Sequence, residues 1–382
     1  MLKVRERTLL FTEQCPLDCR YCFNKAEEEY MCGQQFDITD MIKEIDGYLE
    51  RDKKDKVQTQ ILFTGGEPFL YWKQIKEIIE KYGHQLFYKF NTNGMLLTKE
   101  IIEFLSDYHV IFVLSVDGDH YLTNYLRPNK RNKYRVGYLK ELRKILPYLL
   151  YYFPATQFKI IIGPRYVDKL YESYLFAEQI GFKEFFFILD FNSRPYTDKE
   201  IIHGENWTDE CTEKLTQQLY LITQEMIEGW RLGLHRPQIR QIDMCVWHLL
   251  TNPKFDPHNF PCGLLNGRSL KTVYSLKNNM CMSQYFDSYE ELENELYKQY
   301  EETNGLCPID PECPAFEYCA VVSCPKNSMD QHGKFFYTEA LECAVNKAVF
   351  KATFLMLATA NEICPNSIYY KLYLREKMRG EF

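Results

Sequence analysis

The N-terminus, Met1-Leu2-Lys3-Val4-Arg5-Glu6-Arg7, has no apolar segment leading to a cleavage site, so nothing there predicts export. No uninterrupted apolar run approaches the roughly 20 residues that cross a bilayer. Positive charge is also in short supply. Against 53 Asp and Glu stand 46 Lys and Arg, and the net charge of −7 offers no broad field to nucleic acid or an anionic membrane. These absences predict a cytoplasmic protein that binds neither. What the chain has in excess is cysteine, 14 in 382 residues. An even number could mean disulfides, but without an export signal the thiols are expected to stay reduced and hold metal. With 46% hydrophobic and 15% aromatic residues there is enough for a sizeable core, and the length predicts one large domain plus a smaller one.

Three of the thiols fall together in Cys15-Pro-Leu-Asp-Cys19-Arg-Tyr-Cys22, followed by Phe23-Asn24. Gaps of three and then two residues let one tight loop present all three sulfurs to one small object. An iron–sulfur cube suits them, since its irons take thiolate ligands. A fourth cysteine is lacking, which would leave one iron open to something other than protein. A zinc knuckle is the competing reading, although structural zinc wants four closed ligands.

Around this loop the chain alternates strand and helix. Strands are predicted at 8–12, 60–64, 86–90, 110–116, 158–162 and 184–189, and helices at 38–49, 72–82, 99–106, 136–149 and 167–180. Six such repeats predict an α/β fold, a partial (β/α)6 TIM-like barrel, with function at the carboxyl ends of the strands. The candidate residues obey that rule. The cysteine loop follows the first strand, and Gly65-Gly66-Glu67-Pro68 the second, where two glycines allow positive φ and a close backbone approach to a ligand. Asn91-Thr92-Asn93-Gly94 follows the third. Ser115-Val116-Asp117-Gly118 ends the fourth, with Arg127 nine residues beyond Gly118. An ordinary tight turn and a solvated surface arginine are the bland alternatives for Gly65–Pro68 and Arg127. A long helix is predicted over 211–232, leading out of the barrel, and another over 344–360. His235 and His248 read as surface or satisfied core groups.

Cys-x-x-x-Cys-x-x-Cys with an aromatic before the last cysteine resembles the radical S-adenosylmethionine (radical SAM) enzymes, over roughly residues 8–190. The resemblance implies a [4Fe–4S] cluster on Cys15, Cys19 and Cys22. Its open iron would bind the amino and carboxylate groups of SAM, and reductive cleavage would yield a 5′-deoxyadenosyl radical that abstracts hydrogen from a substrate. It also implies that Gly65, Gly66, Glu67 and Pro68 contact the SAM amino group. Asn91, Asn93, Ser115 and Asp117 would border its ribose and carboxylate, with Arg127 suited to the carboxylate as a permanently charged fork.

Nine cysteines lie beyond residue 240. The inner seven, Cys262, Cys281, Cys307, Cys313, Cys319, Cys324 and Cys343, resemble the accessory SPASM domain of the same family, which holds auxiliary [4Fe–4S] clusters. The spacing departs from that pattern at the first and last gaps of Cys307-x5-Cys313-x5-Cys319-x4-Cys324, and Leu276 stands where a glycine is usual. By resemblance, one cluster would take Cys262, Cys281 and Cys324 with Cys245 as a possible fourth ligand, and another Cys307, Cys313, Cys319 and Cys343. A single cluster or a zinc site is the competitor. Cys32, Cys211 and Cys364 read as buried apolar thiols. The expected domains are 1–235, the barrel with its helix, and 236–382, the SPASM-like part with a C-terminal helix.

Proteins of this type mostly act on peptides or proteins. The resemblance therefore predicts an oxidative maturase of a ribosomally made peptide, forming a thioether or other crosslink. It would have an external flavodoxin- or ferredoxin-like electron donor and, since the cluster loop starts at residue 15, a possible separate leader-recognition protein. Anaerobic sulfatase maturases, which make formylglycine, are the alternative. They carry an Asp base directly after the cysteine corresponding to Cys281, where this chain has Met282, its nearest carboxylate being Asp287. A non-catalytic scaffold is the reading from a different class. Excess aromatics, 29 Tyr and 26 Phe, could line a peptide groove but more often build core.

Overall fold

The computed structural model describes residues 4–12, 14–22, 38–130, 138–189, 207–253, 255, 289–322, 328–329, 332–337 and 340–379. It divides into two compact units. The first comprises Met1–Arg5, Leu9–Lys214 and His235–Arg240, the second Glu6–Thr8, Leu215–Leu234 and Gln241–Phe382.

Seven strands form the sheet, in chain order: β1 (Val4–Thr12), β2 (Gln58–Gly65), β3 (Phe87–Thr92), β4 (Val110–Ser115), β5 (Gln157–Ile162), β6 (Glu184–Leu189) and β7 (Gln238–Ile239). Every pair from β2 to β7 is parallel. Between the strands run α1 (Ile38–Lys54), α2 (Trp72–Tyr82), α3 (Lys99–Ser106), α4 (His120–Leu126), α5 (Tyr138–Tyr152) and α6 (Leu170–Gln179). Strand order that never breaks sequence is the wind of a partial (β/α) barrel, so the expected fold class holds, with β7 added as a seventh strand. Helix α3 shows why its limits were legible: Thr98 caps it through an Oγ that accepts from Ile101 N at 3.3 Å, and Ile101, Ile102 and Leu105 are buried.

The sheet has two unlike faces because successive side chains alternate. On one face register aligns Phe63 with Phe90 and Phe90 with Phe112, giving stacked rings at 5.0 and 5.5 Å. Phe158 stacks on its partner Phe185 at 5.4 Å. All five rings are buried. Much of the aromatic excess is therefore core, each such ring contributing about 3–5 kcal/mol against alanine. On the other face Lys89, Asn91, Lys159 and Ile161 are only half-buried, and the candidate site lies on this side.

Helix α7 (Asp209–Leu232) supplies its residues from Leu215 onward to the second unit, with α8 (Arg240–Thr251), α9 (Tyr289–Glu302), α10 (Phe316–Val322), α11 (Ala340–Ile363) and α12 (Ile368–Met378). Leu292, Leu296, Phe316, Ala320, Phe335 and Phe336 form one buried cluster, against which Phe255 stacks on Tyr300 at 4.1 Å. Glu342–Ile363 is long and apolar enough to cross a bilayer by length and composition alone. Val345, Val349, Ala352, Met356 and Ala360 nevertheless form a buried stripe along α11.

A buried ion pair ties α8 to α12. Lys377 Nζ lies 3.0 Å from Asp243 Oδ2, both side chains almost wholly enclosed, and Tyr373 donates to Asp243 Oδ1 at 2.7 Å. Removing one partner of such a pair strands the other charge in low dielectric. Lys377→Met should lower unfolding stability by about 3–5 kcal/mol, and Lys377→Met/Asp243→Leu should recover much of it. Denaturant titration of the two variants checks this.

Candidate active site

The three thiols sit on the loop that leaves β1, with Cys19 buried and Cys15 and Cys22 half-buried. The loop is strapped from outside by the segment after α4. Asp18 N donates to Pro128 O at 2.7 Å, Arg20 N to Leu126 O at 2.8 Å and Lys130 N to Pro16 O at 3.0 Å, with an antiparallel bridge from Leu17 to Asn129. From the sheet side, Gly66 N donates to Thr12 O at 2.5 Å and Glu67 N to Gln14 O at 2.8 Å. Gly65 makes this stitch possible. Its φ is +133°, and a Cβ there would overlap the Thr12 carbonyl oxygen. The predicted close backbone approach is thus made to β1 itself.

Glu67 is fully buried, and its carboxylate organises the next loop. Oε1 accepts from Phe69 N at 3.2 Å and Thr92 Oγ1 at 2.7 Å, and Oε2 from Asn93 N at 2.9 Å. Asn93 in turn donates from Nδ2 to Cys15 Sγ at 3.5 Å. One carboxylate therefore links the glycine loop, the end of β3 and the first thiol. Burial pushes the Glu67 carboxyl up to about 7 from its ordinary 4.5, against three donors that pull it down. A raised folded-state value means that the native state keeps its proton longer than the unfolded chain. Stability attributable to Glu67 is therefore full below about pH 4.5 and falls as pH rises to about 7. Relative to Glu67→Gln, wild type should lose on the order of 3 kcal/mol between those limits and change little above. Thermal melts of both proteins from pH 4.5 to 8 test the sign.

Asp117 is fully buried and is the hub of a second network. Arg127 grips it with two nitrogens, Nε to Oδ2 at 2.7 Å and Nη2 to Oδ1 at 3.1 Å. Tyr21 donates to Oδ2 at 2.5 Å, and Ile161 N to Oδ1 at 3.1 Å. Arg127 Nη1 points at Cys19 Sγ, 3.7 Å away, and its guanidinium lies 5.2 Å from the centre of the Tyr21 ring. Arg127 is thus no solvated surface arginine, being 5% exposed, and its fork is taken up by Asp117. Ser115 contributes its carbonyl, which shares the Tyr138 hydroxyl with Asn93 O at 2.7 and 2.6 Å. Asn91 Oδ1 accepts from Lys159 Nζ at 2.8 Å. The two lysine and tyrosine partners, Lys159 and Tyr138, had no sequence signal, because each reaches the site from a distant element.

Residues 9–169 match the model of the Radical SAM superfamily. This stretch is a radical SAM domain. Within the chain 146 residues are 27% identical to the radical SAM cyclopropyl synthase TigE of Paramaledivibacter caminithermalis, covering 35% of this chain and 29% of that protein. Over 130 residues the chain is 31% identical to the serine-type anaerobic sulfatase-maturating enzyme of Bacteroides thetaiotaomicron, covering 31% of this chain and 30% of that protein. These matches span less than a third of the relatives' own lengths. The solved structure of anSMEcpe with bound AdoMet superposes with a TM-score of 0.66 at 16% identity, over 99% of this chain and 98% of that one. At that identity the likeness is one of fold.

A radical SAM domain implies a [4Fe–4S] cluster and SAM, and the donor set fits a cube. The three thiols are close enough that Cys15 and Cys22 both act on Cys19, and burial pushes Cys15 up to about 11 and Cys19 up to about 12. Such thiols stay protonated and inert without a metal to ionise them. Among the described residues no three Cys, His, Asp or Glu side chains close on a single ion, and a cube holds its ligands wider apart than one ion does.

In the second unit Cys319, Cys313 and Cys307 all act electrostatically on Cys343, whose thiol burial pushes up. The structure thus brings one predicted set of four together. Asn346 Nδ2 donates to Cys319 Sγ at 3.3 Å, and Lys347, beside Cys343, pairs with Asp310 at 2.9 Å. Of the other set only Cys245 is described, since Cys262, Cys281 and Cys324 lie outside the described residues, as do Cys32, Met282 and Asp287. Cys245 is fully enclosed, bonded to Thr353 and pushed up to about 12 by burial. Cys211 and Cys364 are buried as expected. His248 is not a satisfied core group. It is 6% exposed, and its Nδ1 has no hydrogen-bond partner among the described residues.

Proposed function

We propose that this protein is a radical SAM maturase that oxidatively modifies a ribosomally made peptide, installing a thioether or other crosslink. When bound, the cluster and SAM supply a 5′-deoxyadenosyl radical that takes hydrogen from the substrate. The observation that carries this reading is the loop of Cys15, Cys19 and Cys22, strapped by residues 126–130 and stitched to Gly66 and Glu67 at the strand ends. In this reading the three thiols hold the cluster, while Gly65, Gly66, Glu67 and Pro68 form the floor under the SAM amino group. Glu67 acts by positioning Asn93 and Thr92, and Asn91, Asn93, Ser115 and Asp117 shape the ribose side. Cys307, Cys313, Cys319 and Cys343 hold one auxiliary cluster. Cys262, Cys281 and Cys324, with Cys245, hold a second. The partners are a peptide substrate, an external flavodoxin- or ferredoxin-like electron donor and a separate leader-recognition protein, and the setting is the cytoplasm.

Support for a peptide-modifying role comes from the anSMEcpe fold, one structure of which carries a Kp18Cys peptide with AdoMet (TM-score 0.66, 17% identity). Sulfatase maturation is the second reading, favoured by the sulfatase-maturating relative and opposed by Met282 where that class has its base. The reconstituted protein should release 5′-deoxyadenosine from SAM with dithionite under anaerobic conditions. No release by a fully iron-loaded sample would leave the scaffold reading. Incubation with a Cys- or Ser-containing sulfatase peptide then separates the two enzyme readings, since only a maturase of that class yields an aldehyde that a hydrazide traps.

A further inference from the structure

Cys343 stands in the first turn of α11, and Asn346 and Lys347 follow it at three and four residues, so all three share one face of the helix. That face meets the other thiols of the predicted set. Asn346 Nδ2 donates to Cys319 Sγ, on α10, at 3.3 Å. Lys347 Nζ pairs with Asp310 Oδ2 at 2.9 Å, and its charge reaches both Cys343 and Cys313. Asp310 lies midway between Cys307 and Cys313, and its carbonyl accepts from Cys313 N at 2.9 Å. One turn of α11 thus brings a thiol, an amide donor and a cation to a set of four thiols, the number that a [4Fe–4S] cube takes. Stability does not account for the other two side chains. Asn is a poor helix former in a helix otherwise rich in alanine, and the Lys347 ion pair is half-exposed, where such pairs contribute little.

We propose that Asn346 and Lys347 are positioning residues that set the reduction potential of a cluster held by Cys307, Cys313, Cys319 and Cys343. A protonated thiol is a weak acceptor, whereas a cluster-bound thiolate is charged and takes the Asn346 amide in a charge-assisted bond. Reduction by one electron, supplied in vitro by dithionite, adds negative charge that spreads onto the sulfurs. A donor on one thiolate and a cation near two others therefore favour the reduced form, because hydrogen bonds to the sulfurs and local charge tune these potentials. The two residues differ in strength. Asn346 is bonded directly to a buried sulfur, while Lys347 stands half in water and shares its charge with Asp310, so salt screens it more.

This inference rests on the reading of those four thiols as ligands of an auxiliary cluster, and the test separates the two. The full-length Cys15→Ala/Cys19→Ala/Cys22→Ala protein, anaerobically reconstituted, serves as the parent, since it keeps only clusters outside the radical SAM loop. It is titrated with dithionite and redox mediators while electron paramagnetic resonance follows the reduced clusters. The signal that vanishes when Cys319→Ala and Cys343→Ala are added belongs to this cluster. On that signal Asn346→Leu should lower the reduced-to-oxidised ratio at fixed potential roughly 10-fold, or about 59 mV for one electron. Asn346→Asp keeps the shape and adds a negative charge, and should lower it at least as far. Lys347→Gln should lower it by about 3-fold, and by less at high salt. Iron content and melting temperature should match the parent, and any second auxiliary signal should hold its midpoint. If Asn346→Leu loads poorly, Asn346→Asp and Lys347→Gln decide. Unmoved midpoints in those two, or equal shifts in every cluster, would overturn the assignment while leaving the cluster in place. A parent that holds no iron would overturn the cluster reading with it.

Discussion

Alanine at Cys15, Cys19 and Cys22 together is expected to remove about four irons and four sulfides per chain after anaerobic reconstitution, and with them all release of 5′-deoxyadenosine. The total before substitution then counts the other clusters. About twelve irons falling to about eight means three cubes, and about four falling to none means that the thiols of the second unit serve another purpose. The result would not reflect collapse of the loop, because what holds the loop is backbone. Asp18, Arg20 and Lys130 donate through their main-chain N–H groups to the carbonyls of Pro128, Leu126 and Pro16, and these ties survive loss of the thiols. The triple variant should therefore melt within a few degrees of the apo wild type. Zinc recovered in place of iron from the wild type would restore the zinc-knuckle reading, and iron unchanged in the variant would place the cluster elsewhere.

The strands and helices of the first unit were legible because each is a short apolar run or a periodic stripe bounded by its own signals. Helices α2 and α3 match their predicted limits, 72–82 and 99–106, on such grounds. Missed elements lacked them. Strand β7 is two residues long and has no period to detect. Helix α4 has seven residues, and its only signal was Asp119, whose side chain accepts from Leu122 N. In α9 the apolar stripe rests on Leu292 and Leu296 in an otherwise charged run. At the site, the motif residues were visible because their spacing in sequence is their spacing around one loop. The Arg127–Asp117 grip, the reach of Lys159 across β4 to Asn91 and the double acceptor set of Tyr138 join residues 10, 68 and 23 to 45 positions apart. Tertiary pairing on that scale leaves no local pattern.

Arg127→Ala is expected to destabilise the first unit by about 3–5 kcal/mol, the usual consequence of leaving a buried charge without its partner. Asp117 is fully buried, and with Arg127 gone only the Tyr21 hydroxyl and Ile161 N would remain on its oxygens. Arg127→Met/Asp117→Leu should be less destabilised than either single variant, since two charges leave together. Denaturant unfolding of all four proteins measures this coupling, and additivity would deny that the pair acts as one unit. The same variants bear on the cluster. Arg127 is the residue at which α4 ends and the strap over the thiol loop begins, its N–H bonded to Thr123 O at 2.9 Å. Its side chain meets Cys19 and Tyr21 inside that strap. The double variant should therefore fold yet load less iron, because it lacks the cation facing the thiolates. A double variant that loads as wild type would move the bracing role from the Arg127 side chain to the backbone ties of residues 126–130.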